Sequence, residues 1–301
     1  MENWKFKPES LMMSHGYKPE LSEGAVKCPI FQTSTFVFQK AEDGKAFFEV
    51  AYGIREKEES EEMGLIYSRL NNPDLEILEN RLSLWDNAGD TAVFESGMSA
   101  ISTALMEFLN PGDLLLFSNP VYGGTDHFIK HVLTKYGIEV MGFNPGQSIE
   151  EIDRMLQDSG KADQLAYIYL ETPANPTNDL IDIKGCVELA KKYSSADKKV
   201  IVGVDNTYLG PLWQNPLELG ADLVIYSATK YIGGHSDLIA GACSGSAEVI
   251  GRVKVLRTFL GNMASPYTGW LLMRSLETLK IRMERQGNTA AHVAKYLKQH
   301  P

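Results

Sequence analysis

Short apolar runs and helical spacings alternate along the chain, a pattern typical of β-strands separated by α-helices. The predicted strands lie within residues 91–97, 114–120, 138–143, 166–171, 199–205, 223–225 and 238–246. Helical spacing joins Leu75, Leu78, Leu82 and Trp85, and further helices are predicted over residues 98–109, 149–156, 182–193 and 270–298, with another from residue 247. Repeated alternation of this kind predicts an α/β fold with a mainly parallel sheet, which binds ligands at the carboxyl ends of its strands.

Two of these strand ends carry an acid and an amine. The run at 199–205 ends on Asp205, and Lys230 follows the run at 223–225, flanked by Ser227 and Thr229. A lysine beside hydroxyls that can hold an anion suits pyridoxal phosphate, whose aldehyde condenses with a lysine and whose ring nitrogen pairs with an aspartate.

A third strand end predicts where the phosphate binds. Residues 91–97 read as a strand that ends in a glycine turn, and a helix follows at once. The first amides of a helix have no intrahelical acceptor and lie at the positive end of its dipole, so they bind anions well. We therefore expect the amides of Gly97 and Met98 to bind the cofactor phosphate.

Seven segments of the chain resemble segments of the Cys/Met-metabolism family of pyridoxal-phosphate enzymes, the trans-sulfuration group, and they follow one another in the family's order. The matching segments are PIFQTSTF (29–36), YSRLNNP (67–73), ESGMSAI (95–101), VYGGT (121–125), ETPANPT (171–177), VDNTY (204–208) and SATKYIGGHSD (227–237). The resemblance implies a fold of type I, with a mainly parallel seven-stranded sheet between helices. It also implies an N-terminal arm with an acidic insertion over 1–66, a cofactor-binding domain over 67–265, and the start of a C-terminal α+β domain over 266–301, whose remainder is expected to be absent.

The resemblance also implies roles for individual residues. Lys230 carries the cofactor and moves a proton from Cα to Cβ of the substrate, and Asp205 keeps the ring nitrogen protonated. Tyr122 stacks on the ring and protonates the leaving group, while Asn175 donates to the phenolic oxygen of the cofactor. Ser227 and Thr229 bind its phosphate, and Tyr67 and Arg69 bind the phosphate of a neighbouring subunit's cofactor. Glu171 is interpreted as structural.

The expected activity is γ-replacement or γ-elimination on a sulfur-containing or O-acyl-homoserine amino acid. The alternatives are methionine γ-lyase or O-acetylhomoserine sulfhydrylase activity, and cofactor binding without efficient turnover. Methionine γ-lyases carry a cysteine where this chain has Gly124, which disfavours that activity. The family takes the arginine for the substrate carboxylate from its C-terminal domain, so weak amino-acid binding is expected unless Arg55 or Arg69 replaces it. A nucleotide-binding Rossmann fold is disfavoured because its glycine motif is not found where a strand meets a helix.

Composition narrows the partners to small molecules. The formal net charge is −10 and the isoelectric point is about 5.2, which disfavours nucleic acid and anionic membranes as main partners. Three widely spaced cysteines predict neither a disulfide framework nor a metal site. We expect a cytoplasmic homo-oligomer, either a dimer or a tetramer built from dimers. The acidic run 56–62 is interpreted as solvated and mobile, with gating of the site as the alternative.

Overall fold

The computed structural model describes residues 6–58, 61 and 63–301, and its centre is one seven-stranded sheet. The strands are β1 Asp90–Phe94, β2 Leu114–Ser118, β3 Glu139–Phe143, β4 Leu165–Glu171, β5 Ile201–Asp205, β6 Leu223–Ser227 and β7 Gly241–Gly245, in the order β1-β7-β6-β5-β4-β2-β3. Strands β6, β5, β4, β2 and β3 are parallel, whereas β7 runs antiparallel to both of its neighbours. The expected α/β class with a mainly parallel seven-stranded sheet is confirmed.

Helices follow most of the strands. They are α1 Pro8–Leu11, α2 Ala41–Ala51, α3 Pro73–Asp86, α4 Gly97–Phe108, α5 Gly123–His131, α6 Ile149–Asp158, α7 Ile183–Tyr193, α8 Gly210–Trp213, α9 Ala247–Leu260, α10 Pro266–Leu276 and α11 Leu279–Leu297. Several start on a side chain that accepts a hydrogen bond from the first turn, such as Ser96 before α4 and Ser148 before α6. Such caps satisfy amides that the helix itself leaves free.

The side chains of each strand alternate between two faces of the sheet, as the period of two requires. On β6, Leu223 and Ile225 pack in the cluster that contains Ala100 and Leu105 of α4. Val224 and Tyr226 point the other way, into the cluster that contains helices α3 and α10. Helices α6 and α7 cover the far half of this second face. The sheet is therefore buried on both faces.

The C-terminal helices begin as part of this core. Leu272 and Leu276 of α10 and Met283 of α11 are buried in the cluster that contains Leu75 and Val224. The side chains after Met283 are exposed. The layer that covers the sheet thus extends past residue 265, and the division of the chain at that residue stays a prediction.

A single helix over 270–298 was wrong, because the chain breaks between α10 and α11. Thr278 adopts φ −115° and ψ 5°, outside helical geometry. The Ser275 carbonyl accepts from the backbone amide of Thr278, three positions later, at 3.2 Å and from the Arg282 guanidinium at 2.9 Å. The guanidinium also bonds to another part of the chain, described below, so the break serves a tertiary contact.

The acidic run 56–62 lies partly outside the described residues, namely at 59, 60 and 62. Glu61 is half-buried, and its carboxylate accepts from Arg55 at 2.6 and 2.9 Å. Arg55 also donates to Glu49 of α2 at 3.2 Å. Within the described ranges, no helix is long and apolar enough to cross a membrane.

Candidate active site

Four parallel strands end side by side at one edge of the sheet. Their last residues are Ser118 of β2, Glu171 of β4, Asp205 of β5 and Ser227 of β6. Glu171 lies directly opposite Asp205 in the ladder between β4 and β5. The edge therefore presents two carboxylates and two hydroxyls next to the turn that carries Lys230. We call these four residues and Lys230 the strand-end group.

Asp205 is buried at the centre of this edge. Its Oδ1 accepts from the backbone amide and the hydroxyl of Thr207 at 3.0 and 2.6 Å, and Tyr169 donates to Oδ2 at 3.3 Å. Burial raises the pKa of Asp205 because it removes the carboxylate from water, and the bonds from Thr207 and Tyr169 oppose that shift. A buried carboxylate of this kind needs a cationic partner to stay charged, which a protonated ring nitrogen would supply.

Thr207 connects Asp205 to the next strand. Its hydroxyl donates to Asp205 and accepts from the backbone amide of Ser227 at 2.8 Å. Sequence reasoning assigned Thr207 no role, although the residue lies inside the VDNTY segment. One hydroxyl thus fixes the relative position of two predicted cofactor-binding residues.

Ser227 lies against the start of α4. A Cβ placed on Gly97 would come within 2.9 Å of the Ser227 Cβ, so only glycine allows this approach. Gly97 and Met98 are the first two residues of α4, and that first turn contains no acidic side chain. The amides of a helix start and a serine hydroxyl therefore form one cradle that can accept a phosphate.

Lys230 lies on the turn after β6, with an exposed side chain. Its backbone amide donates to the Ser227 carbonyl at 3.1 Å, and its carbonyl accepts from the amide of Gly234 at 2.7 Å. In the part of the chain that the structure describes, the Lys230 ammonium has no hydrogen-bond or ion-pair partner. The backbone of the turn is fixed while the amine is left available.

Arg282 of α11 holds the same turn from outside. Its guanidinium donates to the carbonyls of Tyr231 and Ile232 at 2.6 and 3.2 Å. Gly234 has φ +74°, and a Cβ there would lie 1.9 Å from Nη1 of Arg282. No sequence pattern pointed to Arg282, since its partners lie about fifty positions earlier.

Thr229 differs from its neighbour Ser227. Its hydroxyl donates to the Ala240 carbonyl at 3.2 Å and accepts from the Ala240 amide at 3.0 Å. In this structure the hydroxyl proton therefore joins the turn to the segment before β7. The assignment of Thr229 to the phosphate stays a prediction.

Tyr122 and Asn175 lie on the loops after β2 and β4. The Tyr122 backbone amide donates to Oε2 of Glu171 at 2.6 Å, and the Asn175 backbone amide donates to Oε1 at 2.9 Å. A Cβ on Gly124 would lie 2.7 Å from the Tyr122 ring and 3.2 Å from the Met98 sulfur. Gly124 therefore lets the tyrosine ring lie close to the start of α4.

Tyr67 and Arg69 have exposed side chains on the segment that precedes α3. The Arg69 guanidinium lies 5.3 Å from the centre of the Tyr67 ring and donates to the Thr258 carbonyl of α9 at 2.9 Å. Among the described residues, no hydrogen bond joins either side chain to the strand-end group. Their assignment to a neighbouring subunit's cofactor stays a prediction.

The donor set fits pyridoxal phosphate. The cradle of Gly97, Met98 and Ser227 suits the phosphate, buried Asp205 suits a protonated ring nitrogen, and the exposed amine of Lys230 suits the aldehyde. Within the described ranges, no cluster of three or more His, Cys, Asp or Glu side chains could hold a metal ion. The fold and the strand-end group define a pyridoxal-phosphate enzyme of the α/β class.

The chain belongs to the family described as Cys/Met metabolism PLP-dependent enzyme, whose model matches residues 9–301. It is 38% identical over 304 residues to an L-methionine gamma-lyase of Porphyromonas gingivalis, covering 98% of this chain and 71% of the relative. It is 36% identical over 289 residues to an L-methionine gamma-lyase of Pseudomonas putida, covering 95% and 67%. It is 35% identical over 296 residues to a cystathionine gamma-lyase of Bacillus subtilis, covering 98% and 70%.

A solved structure is similar in fold. The structure of cystathionine gamma-lyase from Lactobacillus plantarum complexed with L-serine superposes with a TM-score of 0.82 at 30% identity. The match covers 98% of this chain and 70% of that one. The family resemblance, the enzyme class and the pyridoxal 5'-phosphate cofactor are therefore confirmed.

Proposed function

We propose that the protein catalyses γ-elimination or γ-replacement on a sulfur-containing or O-acyl-homoserine amino acid. The observation that carries this proposal is the strand-end group, in which a buried acid, a phosphate cradle and an unpartnered lysine lie at one sheet edge. Family membership and the names of the relatives support the same reaction class.

The chain's own residues divide the task into binding and proton transfer. Gly97, Met98 and Ser227 would hold the phosphate, and Asp205 would keep a proton on the ring nitrogen. Pyridoxal phosphate, when bound, supplies the electron sink for the pair left at the substrate's α-carbon. Asp205 would contribute by staying ionised beside the ring nitrogen, because its negative charge favours the protonated form of that nitrogen.

Lys230 is the base that removes a proton from Cα and then one from Cβ, rather than moving a proton from Cα to Cβ, because the group on Cγ can leave only when deprotonation supplies an electron pair at Cβ. Its amine is exposed and, among the described residues, has no partner, while the turn that carries it is held by backbone hydrogen bonds, so the amine can reach two neighbouring carbon atoms. Tyr122 would protonate the leaving group on Cγ, and the side-chain amide of Asn175 would donate to the phenolic oxygen of the cofactor.

The second candidate is methionine γ-lyase activity. It is favoured by relatives of that name at 36% and 38% identity. It is disfavoured by Gly124, which stands where methionine γ-lyases carry a cysteine. A Cβ at this position would also meet the Tyr122 ring in its present position.

Substrate anchoring and assembly form part of the proposal. Arg55 is bound to Glu49 and Glu61, so it is not available to bind a substrate carboxylate without breaking both contacts. We assign Tyr67 and Arg69 to the site of a neighbouring subunit in a cytoplasmic dimer or dimer of dimers. The arm over 1–66 and a second domain that begins at 266 belong to the same proposal.

Two measurements on the purified protein test the function. Borohydride reduction followed by peptide mass spectrometry should place the cofactor on Lys230, and a label on another lysine would contradict the assignment. Incubation with cystathionine, methionine and O-acylated homoserines should release a keto acid and a thiol, or form a new thioether. Cofactor labelling at Lys230 without turnover of any of these substrates would contradict the proposed reaction and favour a cofactor-binding protein.

A further inference from the structure

Glu171 ties together two loops of the candidate site. It is the last residue of β4, and only 4% of its surface is exposed. Its two carboxylate oxygens accept from two different loops, Oε2 from the Tyr122 amide and Oε1 from the Asn175 amide. Its own amide donates to the Ser118 hydroxyl at 3.0 Å, which fixes the strand end. One side chain therefore sets the separation between the two loops.

Each of these loops carries a residue assigned to the cofactor ring. The contacts of Glu171 are to backbone amides, so they fix the main chain from which the Tyr122 and Asn175 side chains project. We propose that Glu171 is a positioning residue, which in its ionised form holds Tyr122 and Asn175 at the spacing that the cofactor ring requires. This inference rests on the proposed function.

The two hydrogen bonds that Glu171 accepts depend on the charge of its carboxyl group. An ionised carboxylate can accept on both oxygens, whereas a protonated one carries a hydrogen on one of them and leaves the amide facing it without an acceptor. Burial, and then the nearby Asp205 carboxylate, raise the pKa of Glu171 to about 7. Tyr169 also faces this pair of carboxylates, from β4. Protonation near neutral pH would therefore release one of the two loops.

The sign of the pH effect follows from this geometry. If the ionised form of Glu171 binds the cofactor better, affinity is high above the pKa of about 7 and falls as the pH drops through it. Loss of one hydrogen bond to a charged acceptor predicts a decrease of about tenfold or more in affinity.

The experiment measures the dissociation constant of pyridoxal phosphate by absorbance titration of cofactor-depleted protein across this pH range. Glu171→Gln imitates the protonated acid, because its side-chain NH2 group cannot accept a hydrogen bond from the backbone N–H group that it would face. It should bind about tenfold more weakly than wild type at high pH and should lose the pH step. Asp86→Asn is the matched control, because Asp86 is an equally buried carboxylate that accepts from Tyr226 instead of a site loop.

The outcomes separate the inference from the proposed function. Wild-type affinity and a wild-type pH step in Glu171→Gln would overturn the inference, as would an equal loss in Asp86→Asn. Failure of wild type and of both variants to bind the cofactor would contradict the proposed function itself. If Glu171→Gln does not fold, Glu171→Asp decides: the pH step should move to lower pH, since aspartate ionises at lower pH than glutamate, and an unmoved step would overturn the inference.

Discussion

Thr207 shows how one hydroxyl can organise a site. It donates to the Asp205 carboxylate and accepts from the Ser227 amide, so it couples the acid to the phosphate cradle. The residue types around it predicted the acid and the serine separately. Their coupling depends on the parallel pairing of β5 with β6, which places the two strand ends side by side.

Replacement of Thr207 by valine should weaken cofactor binding. The variant keeps the shape of the side chain but removes one bond to Asp205 and the acceptor for the Ser227 amide. We expect about a tenfold to 100-fold increase in the dissociation constant of pyridoxal phosphate, since a hydrogen bond to a charged group contributes about 1.5–3 kcal/mol. Absorbance titration checks this. Thr207→Ser keeps the hydroxyl and is the control, and an unchanged constant in the valine variant would contradict the coupling.

Asp86 should make stability depend on pH. Burial raises its pKa to about 6 although Tyr226 and Ser244 bond to it, so the folded state holds the proton more tightly than the unfolded chain does. A carboxyl whose pKa is raised in the folded state destabilises the fold when it ionises. The free energy of unfolding therefore falls as the pH rises from about 4 to about 6. The shift corresponds to about 3 kcal/mol.

Asp86→Asn should remove this dependence, because its amide cannot ionise and its oxygen can still accept from Tyr226. Urea unfolding of both proteins over that pH range gives the comparison. Parallel stability curves for the two proteins would show that Asp86 does not titrate there.

Helix α11 contacts the turn that carries Lys230 through one of its first residues, Arg282. Arg282 reaches the carbonyls of Tyr231 and Ile232, directly after Lys230, and Gly234 makes room for the guanidinium. The helix break before α11 places Arg282 for this contact. The turn is thereby held by an element outside the proposed cofactor-binding domain of residues 67–265.

Replacement of Arg282 by alanine should lower both stability and cofactor affinity. Three carbonyls lose a charged donor, and we expect about 2–3 kcal/mol of destabilisation. Arg285→Ala, an exposed arginine on the same helix, is the matched control for loss of charge. Thermal or urea unfolding and cofactor titration measure the two effects.

Gly234→Ala tests the same contact from the side of the turn. Its Cβ would overlap the guanidinium, and alanine disfavours φ +74°, so it should reproduce the loss of affinity expected for Arg282→Ala. Wild-type binding in both variants would show that the turn does not need this support.

At the scale of the whole molecule, the site residues fall into two groups. One group lies at the strand ends, and the other, Tyr67 and Arg69, lies beside α9. Family resemblance assigns the second group to a neighbouring subunit. A symmetric dimer would then contain two composite sites.

Mixing two inactive variants tests this assembly. Arg69→Ala and Lys230→Ala chains, refolded together, should recover part of the activity, because a mixed dimer contains one site with both residues intact. Each variant refolded alone is the control, and the mixed oligomers are verified by mass spectrometry before the assay. No recovery in verified mixed oligomers would show that each site is built within one chain.

The sequence alone was enough to locate the strands and the polar residues at their ends. Strand runs, cap residues and glycine turns are local signals, because each depends on the backbone and side chains of a few neighbouring residues. Asp205, Ser227 and Lys230 could be found in this way, and so could the helix start at Gly97. The parallel sheet then brings these separate strand ends to one edge.

The three-dimensional structure was needed to show which polar side chains already have hydrogen-bond or ion-pair partners. The Thr229 hydroxyl bonds to Ala240, the Arg55 guanidinium is bound by two glutamates, and the Glu171 carboxylate accepts from the backbone amides of two loops. Most of these partners lie far from each other along the chain; Tyr122 and Glu171 are separated by 49 positions. Hydrogen-bond competition between such distant groups is settled by packing, so no local pattern of residues could have revealed it.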